Sequence, residues 1–227
     1  MGANGSAGNH ARDAWGATIV FRATPLLRRV TTALLVAVVS PAFACGDHVD
    51  HIVTQDESGI WNPNVYRGLM LAMTVGQVGL ALYEGGETRL GNTAWRGIDS
   101  EIIGAVSADV LKRAFTRPRP KDNPDPCLWF QGDSNRSFPS GEATEAASIV
   151  TPYMLEYGKD YPAVYALSLV PLYVGIGRVK AQAHWQTDVL AGWALGGLSG
   201  WYAYQRDQPL VLQLMPHGIY IGLKKSF

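Results

Sequence analysis

The sequence predicts an all-α domain, a bundle of helices closed by a short C-terminal β-hairpin, and three observations carry that expectation. Apolar residues recur at helical spacing in five stretches, 68–83, 98–115, 142–157, 163–177 and 189–204. A change to strand-like patterning appears only in the tail. At 227 residues without a visible repeat, the chain is long enough for one sizeable core.

Each element follows from its residues. The first stretch is apolar apart from Thr74 and Gln77, and the second presents Ile102, Ile103, Val106, Val110 and Leu111 at helical spacing. The third starts directly after Pro139-Ser-Gly141, which reads as a helix start, and two further apolar stretches follow. In the tail, 210–215 and 219–224 flank Pro216-His-Gly218, the pattern of a hairpin. None of the apolar runs reaches the ~20 residues of a membrane-crossing helix. Burial inside a bundle is therefore expected, in an exported domain that is soluble or peripheral, with helices embedded in the bilayer as the alternative.

Export is read from the first 44 residues. Arg28 and Arg29 precede the apolar run 30–39, and Ala42-Phe-Ala44 offers the small-x-small pattern of a cleaved leader. The polar stretch ahead of Arg28 is longer than usual, which leaves an uncleaved anchor as the alternative. Residues 45–66 are polar and rich in turns, so they are expected to be an exposed segment ahead of a domain over 67–227. Asp47, His48, Asp50 and His51 could be read as a metal cluster, but without a distant fourth ligand a solvated terminus is the better reading. Of the two cysteines, Cys45 and Cys127, a disulfide or two inert thiols are expected, because the residues before Cys45 lack the leucine of a lipidation signal. Basic and acidic residues balance at 19 each, so no global field points to nucleic acid.

Chemistry concentrates in three segments: Lys112-Arg-Ala-Phe-Thr-Arg-Pro-Arg119-Pro120, Ser137-Phe-Pro-Ser-Gly-Glu142, and the run from Gly177 and Arg178 through His184 to Asp188. Lys112, Arg119 and Arg178 are cations suited to the non-bridging oxygens of a phosphate ester. Ser140 and Gly141, at a helix start, add a hydroxyl and backbone N–H groups where the helix dipole favours an anion, and a glycine there lets the backbone approach closely. Asp188 stands four residues after His184, hence on one helix face, where it would accept from the imidazole Nδ1–H and leave Nε2 free.

Three such segments in this order resemble the type 2 phosphatidic acid phosphatase (PAP2) family, which shares its fold with the vanadium haloperoxidases. The resemblance covers roughly residues 100–200 and implies a PAP2-like helical bundle. It implies that His184 attacks phosphorus and forms a phosphohistidine, with no metal or other cofactor required. It selects Arg119 over Arg117, which is left to solvent or the substrate's tail. It also implies a phosphorylated lipid or small phosphate ester as substrate, association with a membrane, and a place in the cell envelope or periplasm.

One position departs from the family: histidine usually follows Pro-Ser-Gly, and here stands Glu142. The family's histidine protonates the leaving alkoxide, and Glu142 can replace it only when protonated. Burial and substrate phosphate would raise its pKa, whereas the helix N-terminus and the three cations would lower it. If the cations win, either leaving groups that need little protonation are favoured, such as the phosphate of a pyrophosphate, or the best activity falls at acidic pH. Glu145, one turn on, reads as a helix-surface residue, and Trp129, Phe130, Phe138 and Trp185 read as core rather than substrate channel. The alternatives are a vanadate-dependent haloperoxidase, with vanadate in the same cradle on His184, and a catalytically weak phosphate-binding protein.

Overall fold

The computed structural model describes residues 49–132 and 134–214. The leader, Cys45, Asp47, His48 and the second strand expected in the tail lie outside the described residues.

Six helices make up the described chain: α1 Pro63–Glu84, α2 Arg89–Phe115, α3 Gly141–Tyr157, α4 Leu169–Lys180, α5 Gln186–Tyr204 and a short α6 Leu210–Leu214. A 3₁₀ stretch, Pro162–Ser168, runs directly into α4. Local chemistry fixes the starts. Asn62 accepts from Asn64 N at 2.9 Å with Pro63 in the first turn of α1, and Thr88 accepts from Gly91 N at 3.0 Å to cap α2. Both helices begin well before the apolar pattern does, because caps rather than core residues start them.

Packing around α3 rests on small residues. A Cβ on Gly192, Gly196 or Gly200 of α5 would come within 2.6, 2.2 and 2.5 Å of Ser140 O, Thr144 O and Thr151 Cβ on the chain of α3 and its cap. These glycines, one turn apart, let the two helix backbones touch, a mode of packing that suits helices in lipid. Tyr66 and Met70 of α1 close one core cluster over Ala146, Ile149, Val150 and Val174. Tyr66 is fully buried, so the domain starts inside the segment expected to be exposed.

Two expectations are corrected. The first hairpin strand is a helical turn: the Asp99 carboxylate accepts from Leu210 N and, at 3.0 Å, from Val211 N, while Val211 and Leu212 pack against Ala81, Ala94 and Trp95. A buried carboxylate on α2 supplies the cap that a five-residue helix cannot supply itself. Membrane-crossing length is also reached, since α1 at 22 residues and the helical stretch 162–180 at 19 are both long and apolar enough. Much of the apolar surface of α1 points outward, with Leu71 66% and Val75 61% exposed.

Candidate active site

The three chemical segments meet where α2 and α4 end and α3 and α5 begin. α2 stops at Thr116, whose left-handed φ of 37° turns the chain into Arg117-Pro-Arg-Pro120. From the last turn of α2, Lys112 Nζ donates to Pro139 O at 2.6 Å and Arg136 O at 3.1 Å, so the first segment holds the loop of the second. That loop is tied in turn to the third, Ser140 N donating to Asp188 O at 2.9 Å. Ser140 is fully buried and its Oγ accepts from Ala143 N at 3.4 Å, capping α3. At Gly141 a Cβ would meet only Lys112 Cε, at 3.5 Å, so packing does not demand glycine there.

The third segment turns sharply after α4, with Gln182 at φ 50°, and brings His184 in ahead of α5 rather than on it. His184 is 2% exposed, and its Nδ1 lies 2.7 Å from Ser137 O. A carbonyl can only accept, so Nδ1 carries a proton and Nε2 is the nitrogen offered to the site. The expected partner, Asp188, stands 3.8 Å from Nδ1. Its carboxylate is otherwise engaged: Oδ2 accepts from Ser137 Oγ at 2.5 Å and Trp185 N at 2.9 Å, and Oδ1 from Arg117 at 2.7 Å. Asp188 fixes the loop that carries His184, and the Ser137 carbonyl fixes the ring.

Arg117 corrects a second expectation, for it faces neither solvent nor a substrate tail. It is fully buried between Asp188 and Asp50, 2.7 Å from each, donates to Thr187 Oγ1 and Pro126 O, and lies over the Trp129 ring at 4.3 Å. Asp50 also accepts from Thr187 N at 2.8 Å. It is thus a buried anchor, not part of a solvated terminus, while His51 is exposed. Arg119 is part-exposed, and among the described residues its guanidinium makes no hydrogen bond. Cys127, next to Pro126, is disulfide-bonded. Trp129, Phe138 and Trp185 are core as expected, but Phe130 is 62% exposed.

The open side of the site belongs to Arg178 and Glu142. Arg178 Nη1 lies 3.0 Å from Glu142 Oε1 and donates to Tyr66 Oη at 3.2 Å. Arg67, beside Tyr66 on α1, reaches the same Oε1 at 3.4 Å, and Glu142 Oε2 is 3.8 Å from His184 Nε2. Burial pushes the Glu142 carboxyl up, but His184, Arg178 and Arg67 outweigh it and hold the pKa at about 2. The cations win, and Glu142 is ionised at neutral pH. Glu145 is part-buried rather than a plain surface residue, its pKa raised by burial and by Glu101 and Glu142. Tyr66 and Arg67 carry no motif and sequence reasoning missed them; Ser137 and Thr187 lie inside the quoted segments but were given no role, and Asp50 was read as part of a solvated terminus. Alongside, α4, α5 and Val53 line an apolar groove of about 550 Å³ that includes Ile176, Val179, Leu190 and Trp193.

Comparison with known proteins gives matches at three levels: a family model, individual relatives and solved structures. A family model described as the PAP2 superfamily matches residues 98–211. Lipid A 1-phosphatases of Rhizobium etli and Porphyromonas gingivalis are 32% and 35% identical over 101 and 103 residues, 42% and 44% of this chain. A third, from Rhizobium johnstonii, is 32% identical over 100 residues. The match spans 42%, 20% and 40% of the lengths of those three proteins. Among solved structures, a transmembrane PAP2 type phosphatidylglycerolphosphate phosphatase from Bacillus subtilis aligns with 79% of this chain and 75% of its own, at 21% identity and a TM-score of 0.43. Aquifex aeolicus LpxE aligns with 80% and 87%, at 18% identity and a TM-score of 0.42.

Proposed function

Because this chain belongs to the PAP2 superfamily, whose model covers half of it, we propose that it is a membrane-associated phosphatase of the cell envelope that hydrolyses lipid-linked phosphate esters through a phosphohistidine at His184. The observation that carries this reading is the imidazole itself, with Nδ1–H pinned on Ser137 O and Nε2 facing the Glu142 carboxylate that Arg178 also contacts.

In the proposed reaction the Nε2 lone pair forms a bond to phosphorus while the bond from phosphorus to the leaving oxygen breaks. Arg178, Lys112 and Arg119, with the backbone N–H groups at the start of α3, balance charge on the three non-bridging oxygens, so the cradle does the electrostatic work a metal does elsewhere. Arg117 and Asp188 hold the loop. An ionised Glu142 has no proton to give, so an alkoxide takes its proton from water, and a leaving phosphate needs none. Water then attacks phosphorus, the P–N bond breaks, and inorganic phosphate leaves with the imidazole restored.

A lipid-linked substrate is supported by the outward apolar face of α1, by the apolar groove beside α5, and by relatives named lipid A 1-phosphatases. The test is phosphate release by the detergent-solubilised full chain from phosphatidate, lipid A and a polyprenyl diphosphate, with chelator or vanadate added. Activity is expected to survive chelation and to be inhibited by vanadate, which mimics five-coordinate phosphorus. His184→Ala is expected to lose turnover more than about a thousandfold and to trap no acid-labile phosphoenzyme. Equal labelling of this variant, or activity restored only by an added metal, overturns the reading.

A further inference from the structure

Nucleophilic attack requires phosphorus to come within about 3–3.5 Å of the attacking nitrogen. The phosphoryl oxygens must at the same time reach Arg178. Both places are taken at rest by one side chain, since Glu142 sets Oε1 at 3.0 Å from Arg178 Nη1 and Oε2 at 3.8 Å from His184 Nε2. A carboxylate and a phosphoryl group cannot share that space, and their like charges repel. The structure also offers a place for the displaced carboxylate. Arg67 is half exposed on α1, and its Nε and Nη2 both stand at 3.4 Å from Oε1, long contacts that shorten as Glu142 swings away from Arg178.

We propose that Glu142 is a specificity-determining residue that stands in for the substrate's phosphoryl group at rest, so that only phosphates bringing further binding energy displace it onto Arg67. An apolar tail supplies that energy by burial of its methylenes. Free phosphate and short, tail-less esters lack it, and product phosphate is expelled when the carboxylate returns. This rests on the phosphatase reading for the identity of the displacing group. It assigns to Glu142 selection among phosphates, in place of proton donation to the leaving group.

The experiment compares the full-length wild type with Glu142→Gln and Glu142→Asp in detergent, measuring inorganic phosphate binding by calorimetry and KM for a dioleoyl phosphatidate and for glycerol phosphate. Glu142→Gln removes the charge at nearly constant shape. Phosphate affinity is expected to rise about tenfold or more, the scale of one charged hydrogen bond, and the KM ratio between the two esters to narrow. Glu142→Asp keeps the charge but is one methylene short of Arg178, so it is expected to move in the same direction. Unchanged phosphate affinity in Glu142→Gln overturns the proposal. An Asp variant identical to wild type also overturns it, because the charge then acts at a distance and not by occupancy. Calorimetry needs no turnover, so a chain that hydrolyses no phosphate yet binds it more tightly in Glu142→Gln sinks the phosphatase reading and leaves this one standing.

Discussion

Two arginines in this chain sit beside carboxylates within one site, and they are built for opposite purposes. Arg117, Asp50 and Asp188 are all fully buried, with both ion pairs at 2.7 Å and two aromatic rings alongside the guanidinium. Arg178 is also buried, but its carboxylate partner Glu142 is 24% exposed and its pair is longer at 3.0 Å. Charges sealed from water must keep their partners, because removing one strands the other in a medium that cannot solvate it. Where water and ligand can enter, a partner can be exchanged at small cost. Burial, more than the ion types, decides whether an arginine–carboxylate pair is scaffold or machinery.

The comparison breaks most visibly at Arg117. Arg117→Ala strands two buried carboxylates and is expected to destabilise the fold by about 3–5 kcal/mol, read as a collapse of the melting temperature in detergent. If that variant melts like wild type, the sealed triad is not scaffold. Arg178→Ala is expected to do the reverse, lowering turnover by about 100- to 1000-fold, the scale of one lost charge-stabilising donor, with melting nearly unchanged. A large loss of stability there would erase the distinction between the two arginines.

The smallest effect sharpens the open pair. The Glu142 carboxyl sits at about 2 in the folded chain against an ordinary 4.5. A depressed folded pKa contributes stability that is fully present above pH 4.5 and is lost as pH falls toward 2. The melting temperature of wild type is therefore expected to approach that of Glu142→Gln between pH 4.5 and 2, over a range of roughly 2–4 °C for about 1 kcal/mol in a domain of this size. A constant gap across that interval would mean that Glu142 is not held by its cations.

Sequence periodicity located every long helix, because burial of one face writes itself directly into residue spacing. It placed the starts of α1 and α2 late, since Asn62 and Thr88 act through caps that have no apolar signature. It mistook 210–214 for a strand, because a nearly continuous apolar run has no period and the deciding group, Asp99, lies over 100 residues away. At the site, Lys112, Ser140, Gly141, Glu142, Arg178, His184 and Asp188 were legible as motifs and are brought together by helix ends. Their pairing was not. The i+4 spacing suggested that Asp188 holds His184, but His184 lies outside the helix and a backbone carbonyl does the holding. The role of Asp50 was hidden for a related reason: an aspartate among His and Asp in a polar stretch looks solvated until the fold lays it against Arg117.

The segment that carries Asp50 reaches further than its ten or so residues suggest. Gln186 exchanges two hydrogen bonds with the His51 backbone, Gln182 donates to Val53 O, and Asp56 N donates to Lys180 O while its carboxylate pairs with Lys180. Every one of these partners belongs to the last residue of α4, the first residue of α5 or the turn between them that presents His184. This strap writes a boundary for any proteolytic trimming or engineered shortening of the N-terminal side. Cuts ahead of Val49 leave the strap whole, whereas a cut past Asp50 removes a carboxylate from Arg117 and a clasp from the nucleophile's turn in one stroke.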